Sequence, residues 1–234
     1  MGFREYSNWG IRQSDTAEQI DPRKKYFIIC EGVNTEQYYF KRLINNRKAL
    51  GICNMIDLRL LEKDEDENGT SYPMHLIQKA QELIDNETIE YDKALDRIIV
   101  VFDADIFEYK SDQYDAVLKS GEDHGFIMAV TNPRFELFLL LHYENTYSQI
   151  IVPNEEEILL EENLHKNGLI NRLLNEKSGI NAKKNPAIGD LADEVKTAIE
   201  QEKLINQDIK NCKHIITSNI GLVIESIIND SLNN

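Results

Sequence analysis

The acidic residues of this chain fall into a pattern that could hold a divalent cation. Glu31 closes the run Tyr26-Phe27-Ile28-Ile29-Cys30 and is followed at once by Gly32. Asp103 and Asp105 close a second run, Ile98-Ile99-Val100-Val101-Phe102. Both runs are short, apolar and rich in β-branched or aromatic residues, which predicts buried strands rather than helices. Asp103 and Asp105 are two apart, so in extended backbone both point to one side. If the two strands lie parallel in one sheet, Glu31, Asp103 and Asp105 converge at its carboxyl edge, where open α/β sheets bind ligands. Three carboxylates at one place repel one another and favour a hard cation, Mg²⁺ or Mn²⁺. Glu31 would be a further ligand or a general base, and spacing does not choose between them. Glu136 lies inside the apolar stretch Phe135 to Leu141. A lone buried carboxylate is very costly, so Glu136 must be paired, hydrogen-bonded or metal-bound. A structural pair with Arg134 or a core hydrogen bond is the alternative to a site role. His142 reads as a satisfied core histidine as readily as a catalytic one.

The elements that would position these acids can be read in order. Gly32 offers a sharp turn at φ > 0 after the first strand. A helix follows from Thr35 to about Leu50, capped by Asn34 or Thr35, with Glu36 in its first turn. Asn54 to Leu61 alternates as a strand, and Pro73 opens a helix to about Asp85. Arg97 to Phe102 is apolar throughout and predicts a central strand covered on both faces. A short helix from Ser111 to Ser120 and a strand from Gly125 to Val130 come next. Asn132 then caps, and Pro133 opens, an all-apolar buried helix. Strands alternating with helices predict an α/β, Rossmann-like, mostly parallel sheet of about four strands flanked by helices. Residues 1–22 read as a loosely packed arm and 23–148 as the α/β core. Residues 149–234 read as a helical extension packed on that core, with helices near 155–175, 190–202 and 218–228. The acidic stretch 62–69 lacks calcium-loop spacing and reads as a solvated loop. The basic triplet Arg23-Lys24-Lys25 could touch phosphate, but a solvated strand entrance is the plainer reading.

Composition narrows the function class. The chain has 234 residues and a formal net charge of −15, which argues against a general nucleic-acid binder but not against an enzyme with a local metal site. No apolar run approaches the roughly 18 residues of a membrane span, and no signal core is present, so a cytoplasmic location is expected. Cys30, Cys53 and Cys212 are at no metal-binding spacing and read as thiols in a reducing compartment. There is no glycine-rich phosphate loop, which counts against a nucleotide-binding enzyme.

The segments YFIICEGVNTEQYYFKRL, RIIVVFDADIF and NPRFELFLLLHY, in that order, resemble the RloB-like proteins, a branch of the Toprim-domain group that includes topoisomerases, primases and OLD-type nucleases. The resemblance implies a Toprim-type core and metal-dependent hydrolysis of RNA or DNA. It assigns Glu31, Asp103 and Asp105 to the metal and adds Glu136 as a fourth acid. A lysine near Lys183 would neutralise phosphate; a solvated loop lysine is the plainer reading. The family context implies phage defence by abortive infection beside an AAA- or ABC-type ATPase. An inactive Toprim scaffold that regulates the ATPase is the alternative. Oligomeric state, homo-oligomers included, is left open. Ile106 stands where the family often has another acid, and Asn34 where it often has lysine.

Overall fold

The computed structural model describes residues 3–6, 24–63, 72–107, 110–161 and 168–232. Six strands form one mixed sheet in the order β1-β3-β2-β4-β5-β6. They are β1 Phe3–Tyr6, β2 Lys24–Cys30, β3 Ile56–Lys63, β4 Arg97–Asp103, β5 Ile127–Asn132 and β6 Thr217–Ser218. The central four run parallel, and the edges β1 and β6 run antiparallel to their neighbours. The expected four-strand sheet is therefore too small. The two added strands have four and two residues, too short for alternation to register in sequence. Residues 3–6 of the expected arm are paired with β3, and Tyr6 donates its hydroxyl to Asn45 at 3.1 Å. Of the acidic stretch 62–69 expected as a solvated loop, Glu62 and Lys63 instead end β3, with Glu62 buried and paired with Lys41; residues 64–69 and the rest of the arm lie outside the described residues.

Among the described residues eight α-helices accompany the sheet: α1 Thr35–Asn46, α2 Pro73–Asp85, α3 Ser111–His124, α4 Phe135–Leu140, α5 Val152–Glu161, α6 Leu169–Ser178, α7 Val195–Glu202 and α8 Ile220–Leu232. Residue parity sorts the strands into two cores, because successive side chains of a strand face opposite ways. Phe27, Ile29, Ile98, Val100, Phe102, Met128 and Val130 pack with α2 and α3. Tyr26, Ile28, Cys30, Ile99, Val101 and Ala129 pack with α1, α4 and the helices after residue 168. β4 is thus buried on both sides, as its unbroken apolar run requires.

Several boundaries differ from the sequence reading. β5 starts later and runs on to Asn132, so Asn132 ends a strand instead of capping a helix. The Asn132–Pro133 bond is cis, and α4 begins at Phe135 and lasts only six residues. The helix expected over 155–175 is two, α5 and α6. The third expected C-terminal helix is preceded by a strand. β6 pairs with the end of β5, and Asn219 carries on where β6 stops. Its Oδ1 accepts from Val130 N–H at 2.7 Å, and its Nδ2 donates to the Met128 carbonyl at 2.9 Å. The side-chain amide thus serves two β5 backbone groups that a longer strand would have paired.

The C-terminal half is tied to the core by specific charges. Asp230 of α8 accepts from Lys24 and from the Tyr26 hydroxyl, and Lys25 pairs with Glu90 at 2.8 Å. Lys24 and Lys25 of the basic triplet are the first two residues of β2 and are both paired, in line with a structural role; Arg23 lies outside the described residues. The segment Pro186–Glu194 is a 3-10 helix laid along α1. A Cβ on Gly189 would stand 2.5 Å from the Tyr38 carbonyl oxygen, so only glycine permits that approach. Arg42 grips Asp193 with two bonds, at 2.9 and 2.5 Å. Among the described residues no helix is long and apolar enough to cross a membrane.

Candidate functional site

β2 and β4 are adjacent and parallel, with Cys30 opposite Val101. Their carboxyl ends therefore deliver Glu31 and Asp103 to the same edge. The Glu31 amide donates to the Val101 carbonyl at 2.9 Å, which keeps Glu31 in line with the strand pair. Its Oε2 accepts from the Asp103 amide at 3.2 Å. Asp103 is the last residue of β4 and shares the α1 side of the sheet with Val101. Its register partner on β5 is Thr131, whose hydroxyl donates to Asp103 Oδ1 at 2.8 Å. The Phe135 amide, at the start of α4, donates to the same oxygen at 2.8 Å.

The alternation argument fails for Asp105. The chain leaves β4 after Asp103, and Asp105 opens a 3-10 turn, Asp105–Phe107. Its Oδ2 accepts from Arg134 Nε at 3.0 Å. Arg134 is thus partnered with Asp105, not with Glu136 as the structural alternative had it. Glu136 itself is 5 % exposed, and no hydrogen bond or ion pair joins its side chain to another described residue.

One acid was not singled out from sequence. Glu36 folds back from the first turn of α1 and accepts the Gly32 amide on Oε1 at 3.1 Å. A Cβ on Gly32 would meet that carboxylate, the movable end of the Glu36 side chain, so close approach alone does not require glycine here. Nor does the expected positive φ, since Gly32 is not among the left-handed glycines. The available signal was position: a helix starting just after a strand end holds its first-turn side chains over that end. Asn34 stands at the helix start but makes no side-chain cap bond.

The electrostatics join these acids. Burial pushes the Asp103 carboxyl well above the usual carboxylate range, and Glu31, Glu36, Glu136 and Asp105 raise it further, in that order. Five carboxyl groups therefore share one edge of the sheet. Yet among the described residues no group of three or more Asp, Glu, His or Cys is gathered closely enough to hold a metal ion. The reason is visible in the bonds: Asp103 turns to Thr131 and Phe135, Asp105 to Arg134 and Glu36 to Gly32. The donor set, all hard carboxylate oxygen, fits Mg²⁺ or Mn²⁺ in kind. Glu136, whose side chain bonds to no other described residue, fits such an ion as well.

Lys183 lies in the turn between α6 and the 3-10 helix. That turn is held by Asn175 Oδ1, which accepts the Ala182 amide at 3.2 Å, and by the Ala182 carbonyl, which accepts the Thr35 hydroxyl at 3.3 Å. Its backbone thus neighbours the start of α1, while its side chain is exposed. His142 is buried, and its ring is fully engaged. Nδ1 faces the Phe138 and Leu139 carbonyls at 3.0 and 3.2 Å, so it carries the proton, and Nε2 accepts the Tyr39 hydroxyl at 3.0 Å. This is the core histidine of the two readings.

No curated protein and no solved structure matches this chain. The family model described as RloB-like protein matches residues 26–227. That span takes in both acid-bearing strands, α4 and nearly all of the C-terminal helices, and the chain belongs to the RloB-like family.

Proposed function

We propose that this chain is a metal-dependent nuclease that hydrolyses phosphodiesters of RNA or DNA, with a Toprim-type arrangement of acids. The observation that carries the reading is the crowding of Asp103 by four other carboxyl groups, one of them the 5 % exposed Glu136, whose side chain bonds to no other described residue. A fold gains nothing from such repulsion, whereas a divalent cation relieves it. Glu31, Asp103 and Asp105 would hold Mg²⁺ or Mn²⁺, with Glu136 and Glu36 beside them. A metal so held lowers the pKa of bound water and offsets charge on phosphoryl oxygens. Thr131 and the Phe135 amide fix one oxygen of Asp103, and the other would serve the ion. Lys183, on the turn next to α1, supplies a cation for substrate phosphate. Action in phage defence beside an AAA- or ABC-type ATPase belongs to the same proposal.

The test is cleavage of tRNA, single-stranded RNA and plasmid DNA in Mg²⁺ and Mn²⁺ by the wild type and Asp103→Asn. Cleavage by the wild type alone is expected, together with a Mn²⁺-dependent rise in thermal midpoint that the variant lacks. Equal cleavage by both proteins would sink the assignment. A second reading, an inactive scaffold that binds the ATPase, is favoured by the net charge of −15. It predicts that Asp103→Asn keeps full biological effect.

A further inference from the structure

Arg134 brings a guanidinium into the acidic corner. Its Nε donates to Asp105 Oδ2 at 3.0 Å, and both side chains are only 16 % exposed. Asp105 is thereby held to the arginine, apart from the oxygen that Thr131 and Phe135 grip on Asp103. One short stretch of backbone carries two of these contacts and a further acid: Arg134 binds Asp105, the Phe135 amide binds Asp103, and Glu136 is a 5 % exposed carboxylate. Guanidinium recognises carboxylate and phosphate through the same planar fork of N–H donors. A phosphodiester at this corner and Asp105 would compete for one set of donors.

Resting on the metal-dependent reading above, we propose that Arg134 is a phosphodiester-binding residue that keeps Asp105 out of the cation site until a phosphate displaces it. No bond is made or broken covalently. The phosphodiester monoanion takes over the N–H donors, and the Asp105 carboxylate turns with its negative charge toward Glu31, Asp103 and Glu136. Cation affinity then rises with phosphate binding. By linkage, the cation must strengthen phosphate binding by the same factor.

The test measures Mn²⁺ affinity by calorimetry on the full chain. Wild type, Arg134→Gln, Asp105→Asn and the double variant are compared, each with and without diethyl phosphate, after thermal unfolding has verified that each is folded. Arg134→Gln should tighten Mn²⁺ binding by about tenfold, the scale of a part-buried ion pair, and have little effect in the Asp105→Asn background. Diethyl phosphate should tighten Mn²⁺ binding to the wild type and leave Arg134→Gln unchanged. If Arg134→Gln acts equally in both backgrounds, the arginine works by bulk charge and the latch is wrong. No effect of diethyl phosphate on the wild type also overturns it. If Mn²⁺ binds the wild type and not Asp103→Asn but shows no such coupling, the latch alone fails. Absence of Mn²⁺ binding to the wild type removes the metal reading and the latch together.

Discussion

Lowering the pH should destabilise this protein through His142 before acid removes its ion pairs. The ring is 3 % exposed and packed edge-on against Tyr39 and Phe138, with centroids at 5.3 and 4.9 Å. Burial pushes its pKa from 6.5 down to about 4, against the raising effect of the Phe138 and Leu139 carbonyls. The neutral ring suits both partners: a proton on Nδ1 for the carbonyls and a lone pair on Nε2 for the Tyr39 hydroxyl. Protonation would turn Nε2 into a donor facing a hydroxyl and bury a charge. The unfolded chain takes up the proton near pH 6.5 and the folded one only near 4, so stability is full above 6.5 and falls between the two. At 1.36 kcal/mol per unit, the loss is about 1.4 kcal/mol by pH 5.5 and about 2.5 kcal/mol by pH 4.5, tending to about 3.4 kcal/mol. Urea unfolding of wild type and His142→Gln from pH 8 to 4.5 isolates this contribution as the difference of the two curves. An NMR titration of the folded wild type should find the ring neutral down to about pH 5. Parallel loss of stability in both proteins, or a folded-state pKa near 6.5, would refute the reasoning.

Two further perturbations probe the C-terminal half. Glu202 is buried and accepts four hydrogen bonds: the Ser218 hydroxyl at 2.5 Å, the Gly221 and Leu222 amides at 2.9 and 2.8 Å, and Gln207 at 3.0 Å. Glu202→Ala leaves the first turn of α8 without its acceptor and should lower unfolding free energy by about 3–5 kcal/mol in denaturant titration. Gly189→Ala pushes a methyl against the Tyr38 carbonyl and should lower stability by about 1–3 kcal/mol. Faster exchange of amides at residues 182–194 would locate that damage in the 3-10 helix and the turn that carries Lys183, and unchanged exchange there would argue against a role for the close approach of Gly189 to Tyr38.

What sequence made legible was the frame of the site. An apolar run ending in an acid is a local pattern, and Tyr26-to-Glu31 and Ile98-to-Asp103 carry it within a few residues. Strands alternating with helices then implied a mostly parallel sheet, and the structure places β2 and β4 side by side in it. The ordered motifs also pointed to the RloB-like family, to which the chain belongs. The short edges β1 and β6 were not legible, because two to four residues carry too little period and their pairing partners lie far along the chain. Nor were the partners of the acids. Arg134 reaches Asp105 across 29 residues, Thr131 reaches Asp103 across 28, and Thr35 reaches the Ala182 turn across 147. Sequence spacing fixes which way a strand residue faces. Which donor a carboxylate meets is decided by strands and helices brought together in space, so the tertiary structure alone turned Asp105 toward Arg134 and left Glu136 buried without a partner among the described residues.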